Sequence, residues 1–98
     1  MNVKHVVFHY PGPNWQDGVD FREQPDIMEH VAHYAEFLKA GKLSLGGPFT
    51  DPDSGGMMIA DADVTREELE QFAASDPTVQ KGLLKFAVKT WYVAMQKE

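Results

Sequence analysis

Apolar and polar residues alternate along four segments of the chain, and each such segment predicts a strand. The first is residues 2–10 (NVKHVVFHY), where His5, Val7 and His9 lie on one face. Both faces of this strand are at least half apolar, so we expect both to be covered. The other three strands are predicted at residues 42–46, 57–62 and 83–95.

Two segments with helical periodicity lie between these strands. The first helix is predicted at residues 25–40, with Gly41 as its C-cap. The second begins at a capping box, Thr65 with Glu68, and runs to about Ala74. In the first helix the stripe predicted to face the core consists of Ile27, Val31, Tyr34 and Leu38, flanked by His30 and Phe37.

Glycine and proline mark the connections. Residues 11–24 (PGPNWQDGVDFREQ) form a predicted loop, whose length of about fourteen residues approaches the range in which loops are often functional. Trp15 within it either lines the mouth of a pocket or anchors the loop to the core. The run Gly46-Gly47-Pro48 is predicted to break the second strand, and residues 51–56 (DPDSGG) form the turn that follows.

The predicted order β-α-β-β-α-β is that of a ferredoxin-like α+β fold. We therefore expect a single domain over residues 1–98, with an antiparallel four-stranded sheet and two helices on one of its faces. The other face would expose more apolar area than a soluble monomer usually does. Pairing of two such faces predicts a homodimer.

Composition narrows the classes of function. The net charge of −6, from 9 basic and 15 acidic residues, argues against a nucleic-acid partner, because such proteins neutralise phosphates with basic clusters. No apolar run reaches the roughly 18 residues of a membrane span, and the N-terminus does not resemble a signal peptide. With no cysteine, disulfides and thiol nucleophiles are excluded. These features predict a cytoplasmic protein without a membrane partner.

His30 and Asp76 are the residues best suited to acid–base chemistry. Histidine is the side chain whose unperturbed pKa lies nearest neutral pH, and His30 lies beside an apolar stripe, although a histidine held by structural hydrogen bonds is the simpler interpretation. Asp76 precedes Pro77, where it can cap a short turn or orient an imidazole as the aspartate of a triad does. No serine lies in a G-x-S-x-G motif, so at most a dyad is predicted.

A metal site is an alternative for the histidines. His33 follows His30 by one helical turn, and such a pair could share a metal with His5 or His9 of the first strand. The sequence lacks the His-Glu-x-x-His signature, and we predict neither a metal nor a cofactor. The glycine pairs match no phosphate-binding motif, so they are expected to permit tight turns and close approach of the backbone, with Gly47 as a pocket-lining candidate.

Four motifs in this order resemble the YCII-related (YciI-like) family. They are His30 placed eleven residues before Gly41, the string Ala40-Gly41-Lys42-Leu43 leading to Gly46-Gly47-Pro48-Phe49, the step Asp76-Pro77-x-Val79, and Gly82-Leu83 before a strand that ends near Trp91. The motifs span the chain from Val3 to Trp91. The long first loop is similar to that of a subgroup of the family.

The resemblance implies a dimeric α+β barrel with an active site built on a histidine and an aspartate. By motif these are His30 and Asp76, and His33 has no counterpart. Most members of the family have no assigned reaction. The nearest characterised chemistry is that of a dehydrochlorinase acting on a chlorinated hydroxyquinol.

Two main hypotheses follow. The protein is either a small enzyme, or a non-catalytic dimeric module or regulatory subunit that binds a small molecule. The enzyme would use His30 with Asp76 on a small aromatic or carbonyl metabolite, in a dehydrochlorinase-like, lyase-like or tautomerase-like reaction. Other dimeric α+β barrels include cofactor-free oxygenases, which is an analogy of fold alone. The residues predicted to bind the substrate are Trp15, Gly47, Met57, Met58 and Trp91.

Overall fold

The computed structural model describes residues 2–98, and its elements follow the predicted order. They are β1 (Val3–Pro11), a short 3₁₀ helix (Phe21–Glu23), α1 (Ile27–Lys39), β2 (Leu43–Pro48), β3 (Gly56–Ala60), α2 (Arg66–Ala74), α3 (Pro77–Gln80) and β4 (Leu84–Tyr92). The four strands form one antiparallel sheet in the order β2-β3-β1-β4. The ferredoxin-like α+β fold is thus confirmed.

The hydrophobic core lies between one face of the sheet and the helices. The sheet contributes Val7, Met58 and Ala60 to it, and the helices contribute Tyr34, Phe37, Leu69 and Ala73. Helix α2 begins after Thr65, whose side chain accepts a hydrogen bond from the backbone N–H of Glu68, as its capping box predicts. No helix within residues 2–98 is long and apolar enough to cross a membrane.

Helix α1 meets the sheet through a stripe other than the predicted one. Tyr34 and Phe37 are buried, but Val31 and Leu38 are 50% and 56% exposed. The helix is rotated so that its aromatic side chains face the core, where Phe37 stacks on Phe72 of α2 with ring centroids 4.0 Å apart. Val31 and Leu38 consequently border an open space between α1 and β2.

The prediction that Gly46-Gly47-Pro48 breaks the second strand is wrong. Strand β2 continues to Pro48, which pairs with Gly56 of β3. The glycines allow close packing here instead of a turn. A Cβ on Gly46 would collide with Sδ of Met58, and one on Gly56 would lie 2.5 Å from the carbonyl oxygen of Gly47.

The register of the sheet decides which residues face away from the helices. Met58 pairs with the buried Val7 on the helix side, so the adjacent Met57 points to the opposite face, where it lies beside Phe8. Trp91, 46% exposed, lies on that same outer face. The homodimer expected through the outer face stays a prediction.

Hydrogen bonds hold the loop that follows β1. The buried side chain of Gln24 donates to the carbonyl oxygens of Gln16 and Val19, which ties the loop to itself. Farther out, Nε1 of Trp15 donates to Oδ1 of Asp53 at 2.8 Å. The loop therefore bridges to the β2–β3 connection.

Candidate active site

A cavity of about 330 Å³ opens between α1, the β2–β3 hairpin and the first loop. Its walls are mostly apolar, and its polar side chains are His9, His30 and Tyr34. Within residues 2–98, no lysine, arginine, aspartate or glutamate lines it. A cavity of this size and polarity suits a small molecule without a permanent charge.

His30, which lines this cavity, meets Asp76, although 46 residues separate them. Nδ1 of His30 lies 2.5 Å from Oδ2 of Asp76, whose side chain is fully buried. An ionised carboxylate only accepts hydrogen bonds, so Nδ1 carries the proton. Nε2 has no hydrogen-bond partner within residues 2–98, and no buried polar side-chain atom there lacks one. Nε2 therefore lies at the accessible surface, in a ring that lines the cavity.

Asp76 is held in place by the start of α3. It is the N-cap of that helix, and its Oδ1 accepts hydrogen bonds from N and Oγ1 of Thr78 at 2.9 and 2.8 Å. Burial acts to raise the pKa of Asp76, but hydrogen bonds from His30 and Thr78 outweigh it, so the pKa lies below its ordinary value. Asp76 is accordingly a fixed negative charge behind the imidazole.

A second pair, His9 with Tyr34, borders the first. Nε2 of His9 lies 2.6 Å from the Tyr34 hydroxyl, and Nδ1 lies 3.3 Å from the carbonyl oxygen of Lys85. Burial, and then the charge of a protonated His30, lowers the pKa of His9 to about 4. Burial and the Asp76 charge raise the pKa of Tyr34, which stays protonated. The pair is therefore uncharged at neutral pH.

The stability of the fold should decrease on acidification because of His9. Its pKa is about 4 in the folded protein and near 6.5 in the unfolded chain. Between these values the unfolded state binds more protons, so the free energy of unfolding rises with pH. Across this window the expected loss on acidification is about 3 kcal/mol. Urea denaturation at a series of pH values measures it.

The variant His9→Phe should lose this acid dependence between pH 6.5 and 4, and an unchanged dependence would contradict the assignment. His5→Phe, which replaces a less buried histidine of the same strand, is the matched control and should keep it. Asp76 acts at lower pH. Because the pKa of Asp76 is lower in the folded protein than in the unfolded chain, Asp76 stabilises the fold above pH 3.8. This stabilisation is lost as the pH falls below 3.8 and through the pKa of the folded protein.

The residues predicted to bind the substrate separate into two groups. Trp15, Gly47 and Met58 line the cavity, whereas Met57 and Trp91 do not. The last two lie on the outer face of the sheet because neighbouring residues of a strand point to opposite sides. Phe21, in the same loop as Trp15, also lines the cavity.

Among residues 2–98, the group that could hold a metal ion contains His9 and His30 but not His33, which the metal hypothesis included. His33 stacks on Phe72 with centroids 3.9 Å apart, and its Nε2 donates to the Phe72 carbonyl oxygen at 2.7 Å. The candidate ligand atoms of His9, His30 and Asp76 lie within 4.8 Å of one another. Both ring nitrogens of His9 and both carboxylate oxygens of Asp76 already make hydrogen bonds, so an ion would have to displace some of them.

The role of His9 was missed by the sequence analysis, which considered it only as a metal ligand. One signal was available, since His9 shares a face of the first strand with the apolar Val7, and both faces of that strand were expected to be covered. A histidine on the buried face of a strand needs partners for both ring nitrogens.

The chain was compared with known protein families, curated proteins and solved structures. A model of the YCII-related domain matches residues 3–92. The chain belongs to the YCII-related family. Among curated proteins, no match was found.

The solved structures that are similar to this YCII-related protein include one with a named activity. It is the 5-chloro-2-hydroxyhydroquinone dehydrochlorinase TftG of Burkholderia phenoliruptrix AC1100, in complex with 2,5-dihydroxybenzoquinone. The sequences are 24% identical, and the similarity covers 89% of this chain and 93% of that chain, with a TM-score of 0.55. A likeness at this identity shows a shared fold.

Proposed function

We propose that this YCII-related protein is a small enzyme in which His30 is the general acid and base and Asp76 is its ionised partner. The substrate is a small aromatic or carbonyl metabolite. The observation that carries the proposal is the 2.5 Å hydrogen bond between Nδ1 of His30 and Oδ2 of Asp76 at an apolar cavity. The neighbour TftG is named a dehydrochlorinase and holds a small ring compound, which supports this substrate class.

The proposed chemistry is proton transfer at Nε2 of His30. This atom takes a proton from a hydroxyl or a carbon acid of the substrate, and the negative charge of Asp76 stabilises the imidazolium that forms. The electron pair left on the substrate then expels a leaving group as an anion, or the proton returns to another atom. The first course is a dehydrochlorinase-like or lyase-like reaction, and the second is a tautomerisation.

A panel of chlorinated hydroquinols, other quinols and enols tests the proposal. Chloride release and the ultraviolet absorbance of the tautomers are measured with purified protein and with the His30→Gln variant. Turnover that depends on His30 supports the enzyme. Turnover that His30→Gln leaves unchanged counts against the dyad.

A non-catalytic binding module is the second candidate. The mostly apolar cavity favours it, because such a cavity can bind a small molecule without a dyad. Binding itself can be read from the two tryptophans of the chain. Trp15 lines the cavity and Trp91 does not. We expect a quinol ligand to quench the fluorescence of the Trp91→Phe variant, in which Trp15 remains.

The matched variant Trp15→Phe keeps only Trp91, and its fluorescence should not change with the same ligand. Quenching of Trp91 alone would place the ligand outside the cavity. Ligand binding without turnover of any panel compound would favour the binding module over the enzyme.

We also propose that the protein is a homodimer that pairs the outer faces of two sheets. Phe8 lies on that face beside Met57. Because burying a charge there is costly, Phe8→Glu should convert a dimer to a monomer in light scattering. Lys39→Glu, at the end of α1, is the control and should leave the mass unchanged. A wild-type protein with the mass of a monomer would contradict the proposal.

A cytoplasmic location stays a prediction from the sequence.

A further inference from the structure

The pair formed by His9 and Tyr34 has no part in the chemistry proposed above, yet it lies against the dyad. Both residues line the cavity and are almost completely buried, at 2% and 3% exposure. Burying two polar side chains is costly unless their hydrogen bonds are satisfied. Here they are satisfied by each other and by one backbone carbonyl.

The directions of these hydrogen bonds define the neutral form of His9. The carbonyl oxygen of Lys85 can only accept, so Nδ1 of His9 carries the hydrogen. Nε2 then accepts from the hydroxyl of Tyr34, which is the only hydrogen bond of that hydroxyl within residues 2–98. A second proton on His9 would leave the hydroxyl hydrogen of Tyr34 without an acceptor.

Both rings also contact His30. The rings of His9 and His30 meet edge to face, with centroids 4.8 Å apart and an interplanar angle of 82°. Tyr34 meets His30 at 5.1 Å and 62°. With Asp76 on Nδ1, the imidazole of His30 is thus restrained by three neighbours.

We propose that the His9–Tyr34 pair positions His30, holding its ring with Nε2 accessible from the cavity and keeping positive charge out of the space beside it. His30 is then the single proton carrier of the site. The inference rests on the function proposed for His30, and it makes His9 and Tyr34 positioning residues that act through that imidazole.

The groups around His9 explain why its charge matters. Helix α1 presents His30, His33 and Tyr34, and the segment between α2 and α3 presents Asp76. From the sheet come the carbonyl oxygen of Lys85, the ring of Phe86, and Gly56, which has no side chain. The one carboxylate in this set already bonds to His30. A proton on His9 would therefore oppose the proton that His30 must carry.

Tyr34→Phe tests the inference, because it removes only the hydroxyl that donates to Nε2 of His9. In NMR titrations the pKa of His9 should rise above about 4, because the neutral ring loses the hydrogen bond that favours it. Burial, the larger cause of the lowered pKa, remains in this variant and keeps the pKa below 6.5. As His9 becomes protonated, turnover should fall by about 10²-fold relative to wild type, as expected for two like charges at this separation. Unchanged titration of His9 together with an unchanged pH profile would overturn the proposal.

The double variant His9→Phe, Tyr34→Phe replaces both partners with apolar rings of similar shape, a change that is often nearly neutral for stability. Its pH profile should lose the added acid sensitivity of Tyr34→Phe. If the sensitivity persists without any imidazole at position 9, the charge of His9 is not its cause and the proposal fails.

The NMR readout needs no substrate, so it separates the two proposals. Nitrogen-15 shifts should show His30 with its proton on Nδ1 in the wild type, and the His9 titration can be followed in the same spectra. A shifted His9 titration in Tyr34→Phe supports the charge part of the inference even if no panel compound is turned over. Absence of turnover would then count against the proposed function alone.

Discussion

The His30→Gln variant is expected to lose about 10²- to 10⁴-fold in turnover, the range in which a positioned general acid or base contributes. Glutamine can still donate a hydrogen bond towards the carboxylate of Asp76, so the buried charge keeps a partner. It cannot exchange a proton near neutral pH. The loss should therefore appear in kcat while the fold is retained, as measured by steady-state kinetics and circular dichroism.

His33→Gln is the matched control for this variant. It changes the same residue type one turn farther along α1, where the imidazole stacks on Phe72 and donates to a backbone carbonyl. Its turnover should equal that of the wild type. If both variants lose activity equally, the loss reflects damage to the helix and not the removal of a proton carrier.

Asp76→Asn is expected to cause the second large effect, a decrease in turnover of up to about 10⁴-fold, the loss seen when the aspartate of a catalytic triad becomes asparagine. The amide oxygen can still cap α3 through Thr78. The amide nitrogen, however, faces Nδ1 of His30 with a donor where an acceptor is needed. His30 must then move its proton to Nε2, which removes the base from the cavity. Nitrogen-15 shifts of His30 would report this change of tautomer.

Asp20→Asn is the control that distinguishes the loss of a helix cap from the loss of the anionic partner of His30. The side chain of Asp20 also caps a helix, accepting a hydrogen bond from the backbone N–H of Arg22, but it is exposed. We expect unchanged turnover for this variant. Full activity of Asp76→Asn would show that His30 needs no anionic partner, which would contradict the dyad.

The order of the elements could be predicted because local signals mark most of them. The apolar run of β1, the capping residue Thr65 and the step Asp76-Pro77 each act within a few residues. The break predicted at Gly46-Gly47-Pro48 failed for the opposite reason. There glycine is required by close contacts with Met58 and with the neighbouring strand, which are distant along the chain.

The site was only partly predictable, since its contacts are not local. Residue chemistry made His30 and Asp76 candidates for a dyad, and resemblance to the YCII-related family selected His30 over His33. No periodicity connects residues 46 positions apart, so their contact itself was not predictable. The choice between Met57 and Met58 depends on the register of β3 against β1, and a one-residue slip would exchange them. Burial of His9 depends likewise on which face of β1 the helices cover.

The pairing of β1 with β4 determines when the sheet can be completed during synthesis of the chain. Strand β1 lies between β3 and β4, and its residue Val3 pairs with Tyr92, so the first strand to leave the ribosome completes its pairing with the last. Closing so long a segment costs chain entropy before any contact offsets it, which slows folding. The nascent chain must therefore carry β1 with one open edge until β4 emerges. His9 therefore gains the partner of its Nδ1, the carbonyl oxygen of Lys85, only after β4 has been made.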